Sequence, residues 1–515
     1  MKLSKIIFVI LVFPVIMFAG DFRLNGMNAQ YFLPDREFDV NINPALLNRV
    51  GGIDLFGNLG MNIMSSNYFQ DDYLNANYSA PTNDTKNTKI NTMDFDNTSL
   101  GALMNFNKIG VGIKILSDYQ NRNEVITKDP NDQTNTATDT KDTTESKQGN
   151  LYNTSLFFSY DLGNIQLGLK AVYSSLPIYS FSSRTTNNVE DKSFRTKIDT
   201  KINSIGGDLG LTYTDNQSFL FGFSGFYLPQ SGTLYSPIVG GGIALYGNYI
   251  QTNDSFLTYN KITGMNTGGN LLMEYKISSA SLLRGIISGQ YTLLNSTFQN
   301  SDEFKKTYNL TNFKYDISNP TLNINGYFSF SKTFVQSLFF VGLGVGYDKS
   351  TTITSVDKDT TTNASMQGIE LTQTDIDSII NSSLTFGAEG SITKWLTLRG
   401  GLTTTLFSLE NSSSQTIDAY DAINSKVADT VTSDTADSYT TILPSFELKA
   451  GLTLKLPQNI NLDIYSDMDF LGANFKSGSS QWDNTRNLND TTKHNPKDTV
   501  KITDFTINMG VTFRL

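Results

Sequence analysis

The chain of 515 residues has no cysteine and a single histidine. The first absence removes disulfides, thiolate metal sites, cysteine nucleophiles and a lipoprotein anchor. The second leaves general acid–base chemistry one imidazole at most. Charged residues make up only 17% of the chain and its net charge is -10. No surplus of Lys and Arg is therefore present to neutralise phosphates, which argues against nucleic acid as a partner. Beyond the first twenty residues no apolar run reaches the ~20 residues that a membrane-spanning helix needs. What the chain has in quantity is glycine (40), Phe (34) and Tyr (24), against 2 Trp. That balance leans towards a β-rich exported protein.

The start supports export. Lys2 and Lys5 precede an apolar run from Ile6 to Phe18, then Ala19, Gly20 and polar Asp21. A basic start, a short apolar centre and a small residue at the cut are the layout of a secretory signal peptide. Residues 1–19 are expected to be removed.

From residue 53 to 515 the chain repeats one unit: two alternating strands joined by a short turn. Leu100, Ala102, Met104 and Phe106 lead into Asn107-Lys108, and Ile109, Val111, Ile113 and Ile115 leave it. Leu156, Phe158 and Tyr160 reach a turn at Asp161–Asn164, followed by Ile165, Leu167 and Leu169. Later segments repeat this, among them Phe339, Val341, Leu343 and Val345, down to Phe505–Leu515 at the end. Period-two alternation repeated this often is the signature of transmembrane β-strands.

The residues between the apolar ones carry charges of both signs: Lys114, Lys170, Glu274, Arg284, Glu389, Arg399, Glu447, Lys449, Asp463 and Asp467. They are assigned to a wet lumen, with the apolar face in lipid. Tyr160, Tyr213, Tyr275 and Phe330 lie near one end of the apolar stripes and Tyr173, Tyr227, Tyr291 and Tyr347 near the other, as two membrane interfaces favour. The fold class is an all-β, transmembrane antiparallel barrel of 14–16 strands; seven short turns imply about sixteen. Short turns face the periplasm and long polar loops the outside. Asp129–Lys147 and Ala428–Asp437 are read as such loops, and Pro229–Gly264 as an extended hairpin or a lumen constriction.

Residues 20–52 do not alternate, yet Phe22, Leu24, Tyr31, Phe32 and Leu33 are too apolar for a linker. With Asp35 and the run Asn43-Pro44-Ala45-Leu46 ahead of the first strand, this segment resembles the start of the FadL/TodX family of outer-membrane transporters for hydrophobic compounds, and of related PorV-type barrels. The resemblance implies that residues 20–52 form a hatch plugging the lumen, with Asn43, Pro44 and Ala45 as its motif. It also implies uptake of hydrophobic small molecules such as long-chain fatty acids through the outer membrane of a diderm bacterium. The partners expected are outer-membrane lipid, that hydrophobic cargo and the barrel-assembly machinery. The alternative is a non-transporting surface barrel, serving as a secretion scaffold or a platform for adhesive loops.

Nothing in the pattern points to an enzyme, a cofactor or a metal. His494 sits in a polar loop with no nucleophile beside it. Asp463 and Asp467 share a face but have basic neighbours, so lumen ion pairs are favoured over a cation site. The run Asp129–Asp132 lacks the spaced ligands and glycine of a calcium loop. Gly240–Gly242 has no Lys-Ser/Thr after it, so no phosphate cradle is expected.

Overall fold

The computed structural model describes residues 22–25, 27–50, 52–69, 87–94, 98–127, 140–186, 189–215, 218–237, 257–299, 315–356, 371–418, 430–441, 446–457, 460–470 and 504–514. The signal-peptide reading, Val239–Ile250 and His494 lie outside them.

Two short α-helices, α1 (Phe22–Asn25) and α2 (Arg36–Ile42), and a 3-10 helix (Pro44–Arg49) precede the strands. Then follow β1 (Ile53–Phe69), β2 (Asn87–Asp94), β3 (Thr98–Phe106), β4 (Ile109–Thr127), β5 (Thr140–Asp161) and β6 (Ile165–Thr186). Next come β7 (Val189–Thr214), β8 (Phe219–Pro237), β9 (Leu257–Ser278), β10 (Ser281–Gln299), β11 (Tyr315–Phe334) and β12 (Ser337–Val356). The last six are β13 (Leu371–Ser391), β14 (Leu396–Asp418), β15 (Thr430–Thr441), β16 (Phe446–Leu456), β17 (Ile460–Phe470) and β18 (Asp504–Arg514). All pairings are antiparallel, and β1 pairs with β18 from Asp54↔Arg514 to Asn62↔Thr506.

Among the described residues the eighteen stretches occupy sixteen positions. β3 pairs with the first half of β1 and β2 with its second half, and both pair with β4. In the same way β16 and β15 divide the length of β14. The architecture is an outer-membrane-type antiparallel β-barrel, and no helix of the described residues is long and apolar enough to cross a membrane.

The alternation sorts the side chains as expected. Leu156, Phe158, Leu167, Leu169, Phe221, Phe223, Phe328, Phe339 and Leu343 are exposed on the outer face, though large and apolar. Such a surface is stable only against lipid or a partner. Tyr160, Tyr173, Tyr213, Tyr227 and Tyr275 are exposed among them. At Asn107 the chain turns with φ +65°, a conformation that Asn adopts more easily than other side chains.

Two expectations need correction. Thr140–Lys147 and Thr430–Asp437 belong to β5 and β15, not to loops. Their backbones pair with β4 and β6, and with β14, respectively. Strand pairing satisfies backbone groups whatever the side chains, so polar Thr/Asp/Ser stretches extend the barrel wall where no lipid demands alternation. Pro229–Pro237 continues β8, paired to Leu257–Met265 of β9, so the strands on either side of that segment do extend as a hairpin.

Candidate functional site

The site is built by the N-terminal segment, whose contacts reach strands throughout the barrel on the face opposite the apolar one. Its chain is tied into turns locally. The Asp35 carboxylate caps α2, accepting from the amides of Glu37 (3.0 Å) and Phe38 (3.4 Å). Asn43 caps the 3-10 helix, its Oδ1 accepting from the Ala45 amide at 3.0 Å, while Pro44 at the first helical place needs no donor.

The same Asn43 side chain then leaves its own segment. Its Nδ2 donates to the carbonyl oxygens of Leu211 on β7 (3.1 Å) and Phe223 on β8 (3.0 Å). Neighbouring carbonyls are used too: Ser224 Oγ donates to Ile42 O at 2.6 Å and Asn270 Nδ2 donates to the same oxygen at 3.0 Å. Further round the wall, Asn105 and Ser159 hold Asn48 (2.8 and 3.0 Å), Ser329 donates to Phe32 O, and Asn28 donates to Thr403 (2.6 Å) and Glu447 (2.7 Å).

Glycines in the wall make room for these contacts. A Cβ at Gly168 would stand 2.1 Å from the Ala45 nitrogen, one at Gly210 2.1 Å from Asn43 Oδ1, one at Gly342 2.3 Å from the Phe32 ring and one at Gly401 1.9 Å from Met27 O. A side chain at any of them would have to displace the segment. Three apolar clusters complete the fit. Leu24, Met27, Phe32 and Leu33 pack on Phe340; Val40 and Leu47 on Phe56, Leu103 and Phe157; Ile42 and Leu46 on Leu220, Leu272 and Ile286.

Two charged networks join segment to wall. In the first, Arg284 on β10 donates to both Asp39 oxygens on α2 and to Glu274 on β9 (2.6 Å), and Arg49 meets Glu274 at 2.7 Å. Arg284 Nε also donates to Tyr31 O at 3.2 Å. Two guanidiniums and two carboxylates cancel in charge, which burial requires. Burial pushes the Asp39 carboxyl up to about 6, further than Arg284 and Arg49 pull it down. In the second, Arg23 on α1 donates to both oxygens of Glu389 (3.1 and 3.3 Å), Arg399 lies 3.5 Å from Glu389, and Arg399 donates to Asp463 at 3.1 Å.

Most lumen-facing residues expected from sequence are thus brought into ion pairs. Glu274 and Arg284 meet in one, Glu389, Arg399 and Asp463 in another, and Glu447 with Lys449 at 2.8 Å in a third. Asp463 is spent on Arg399 and Thr453, and the described residues hold no metal-binding group of His, Cys, Asp and Glu. The side chains of Asp467 and Phe22 lie outside the described residues; Leu24 is fully buried. Lys114 is 6.0 Å from the centre of the Phe56 ring and Lys170 5.9 Å from that of Phe157. Both lysines are within Coulombic reach of each other, with Asp208 facing Lys170 across the β6–β7 pair.

Sequence reasoning missed Asp39, Arg49, Arg23 and Asn28, the segment's own half of these contacts. The available signal was the mixture of charged and amide side chains with apolar ones in a stretch too apolar for a linker. It also missed the wall glycines, whose role depends on what approaches them.

No family model and no curated protein matches the chain. Solved structures similar to it include a FadL homologue of Pseudomonas aeruginosa (13% identity, 96% of this chain and 98% of that one, TM-score 0.38). Others are the toluene transporters TodX of Pseudomonas putida (9%, 96% and 97%, TM-score 0.36) and TbuX of Ralstonia pickettii (12%, 92% and 92%, TM-score 0.34).

Proposed function

We propose that this chain is an outer-membrane barrel transporter of a diderm bacterium, with residues 20–52 as the plug of its lumen and hydrophobic small molecules as its cargo. One observation carries the reading. A segment of about thirty residues is seated on the inward face of strands from β3 to β17 by hydrogen bonds, two ion networks and glycines that leave space for it. A barrel of sixteen positions is wide enough to hold water unless something fills it, and this segment is placed to fill it.

The cargo class rests on the resemblance of the Asn43-Pro44-Ala45 start, which implies an amphiphile such as a long-chain fatty acid.

Deleting residues 20–43 tests the reading. The deletion variant, assembled in planar bilayers, is expected to show a higher single-channel conductance than the full barrel and to admit bulky antibiotics to cells. Unchanged conductance in a folded barrel would overturn the plug. Raised conductance without binding or uptake of a long-chain amphiphile by the full chain would leave a plugged barrel and favour the scaffold reading.

A further inference from the structure

A cation stands where the alternation calls for an apolar side chain. On β11 the outward positions run Phe328, Phe330, Lys332, Phe334, and Lys332 is exposed between its aromatic neighbours. Its ammonium is 5.3 Å from the centre of the Phe334 ring. Among the described residues no carboxylate pairs with it. Lys332 is two residues from the turn at Val335-Gln336, so its long stem can carry the charge to the membrane surface.

Beside it lies a groove. Lys332 is opposite Phe339, Phe339 opposite Ala388, Ala388 opposite Gly400, and Gly400 opposite Ala450. One rung towards the membrane centre the same strands carry Phe330, Val341, Phe386, Leu402 and Leu448. The resulting cavity of about 780 Å³ opens outward and includes Lys332 in its lining, within the range of roughly 300–1,000 Å³ usual for small-ligand sites. Packing does not force the gap. A Cβ at Gly400 would meet only Lys449 O, at an ordinary 3.6 Å, and glycine weakens a strand. Trp395, 57% exposed in the next turn, marks the level of the headgroups.

We propose that this groove holds one phospholipid of net negative charge, its anionic headgroup on the Lys332 ammonium and an acyl chain along Phe330, Val341, Phe386 and Leu402. The other occupants fit less well. Cargo leaving the lumen finds no passage here, because the inward sides of Gly387 and Gly401 are covered by the Phe340 ring and by Met27, 2.1 and 1.9 Å from where a Cβ would be. A second copy docked on this face would bring no acid to Lys332, whose charge is the groove's only one.

The test uses the full barrel in vesicles of phosphatidylcholine doped with phosphatidylglycerol, released into mild detergent and weighed by native mass spectrometry. One phosphatidylglycerol is expected to stay bound. Lys332→Gln should lower its retention about fivefold, the worth of one lysine beside an anionic lipid. Gly400→Leu, which fills the groove, should abolish retention, and Lys394→Gln in the neighbouring turn should change nothing. Heat-modifiable gel migration reports that each variant has folded. Equal retention in the native barrel, Lys332→Gln and Gly400→Leu overturns the proposal, as does a dimer mass that Gly400→Leu breaks. Retention of phosphatidylcholine in equal measure overturns the role of Lys332.

Discussion

Asn43 does three things with one amide. It caps the 3-10 helix and donates to two strands. A lost cap costs about 1 kcal/mol and each of the two abandoned partners roughly 1–3 kcal/mol, so Asn43→Ala is expected to loosen the segment by about 3–7 kcal/mol, read from the urea midpoint of the barrel in vesicles. Replacing Pro44 should act more mildly, because it removes no hydrogen bond. Asp39 gives a pH dependence of defined sign. It faces Arg284, Arg49 and Glu274, and burial raises its folded-state value to about 6, above the 3.8 of an ordinary aspartate. A raised acid binds its proton more tightly when seated, so its contribution is full below about pH 4 and lost as pH rises through 6. The protection factors of the amides at Val40–Leu47, with the intrinsic pH dependence of exchange divided out, should therefore be higher at pH 5 than at pH 8, and Asp39→Asn should flatten that difference. Lower protection factors at pH 5 would mean that Arg284 outweighs burial.

Among the elements, the wall strands leave room for the N-terminal segment on their inward face. Gly168 on β6 lets the 3-10 helix reach the wall, whereas a Cβ at Gly289 on β10 would meet nothing within 4 Å. Gly168→Val is expected to unseat the segment, seen as new protease cleavage within residues 36–49, while Gly289→Val leaves the pattern as it was. Cleavage in neither variant would show that the helix can shift to accept a side chain. Element length was only partly legible. The alternation marked where each strand crosses lipid, but β7 runs for 26 residues. The polar extensions obey backbone pairing alone, which leaves no trace in hydrophobic period.

Taken whole, the barrel sorts its side chains by solvent. Leu343 is 40% exposed on the outer face, and Gly344 beside it points inward, where a Cβ would meet Ser383 Oγ at 2.7 Å. Leu343→Arg should cost roughly 2–4 kcal/mol, the penalty for a charge on the lipid face at mid-depth. Gly344→Arg should cost less, because Ser383 can rotate and the interior is polar. Urea titration in vesicles orders the two, and a larger loss for Gly344→Arg would mean either a strand one residue out of register or an interior too tightly filled, with Tyr327 stacked on Tyr31, to admit the side chain. Glu389 will not solvate that arginine, since Arg23 and Arg399 already hold it.

The sequence by itself determined the barrel, its two faces, its seven short turns and the special character of residues 20–52. Each is a local pattern: a period of two follows from strand geometry, and a turn is set by the few residues that make it. It also determined that charges would line the lumen. Which charge meets which was decided only in three dimensions. Arg284 and Asp39 lie 245 positions apart and Arg23 and Glu389 366 apart, so no spacing along the chain relates them. The glycines at 168, 210, 342 and 401 read as weak strand residues until Ala45, Asn43, Phe32 and Met27 are found against them. Their role depends on the approach of a segment distant in sequence, which only the tertiary structure decides.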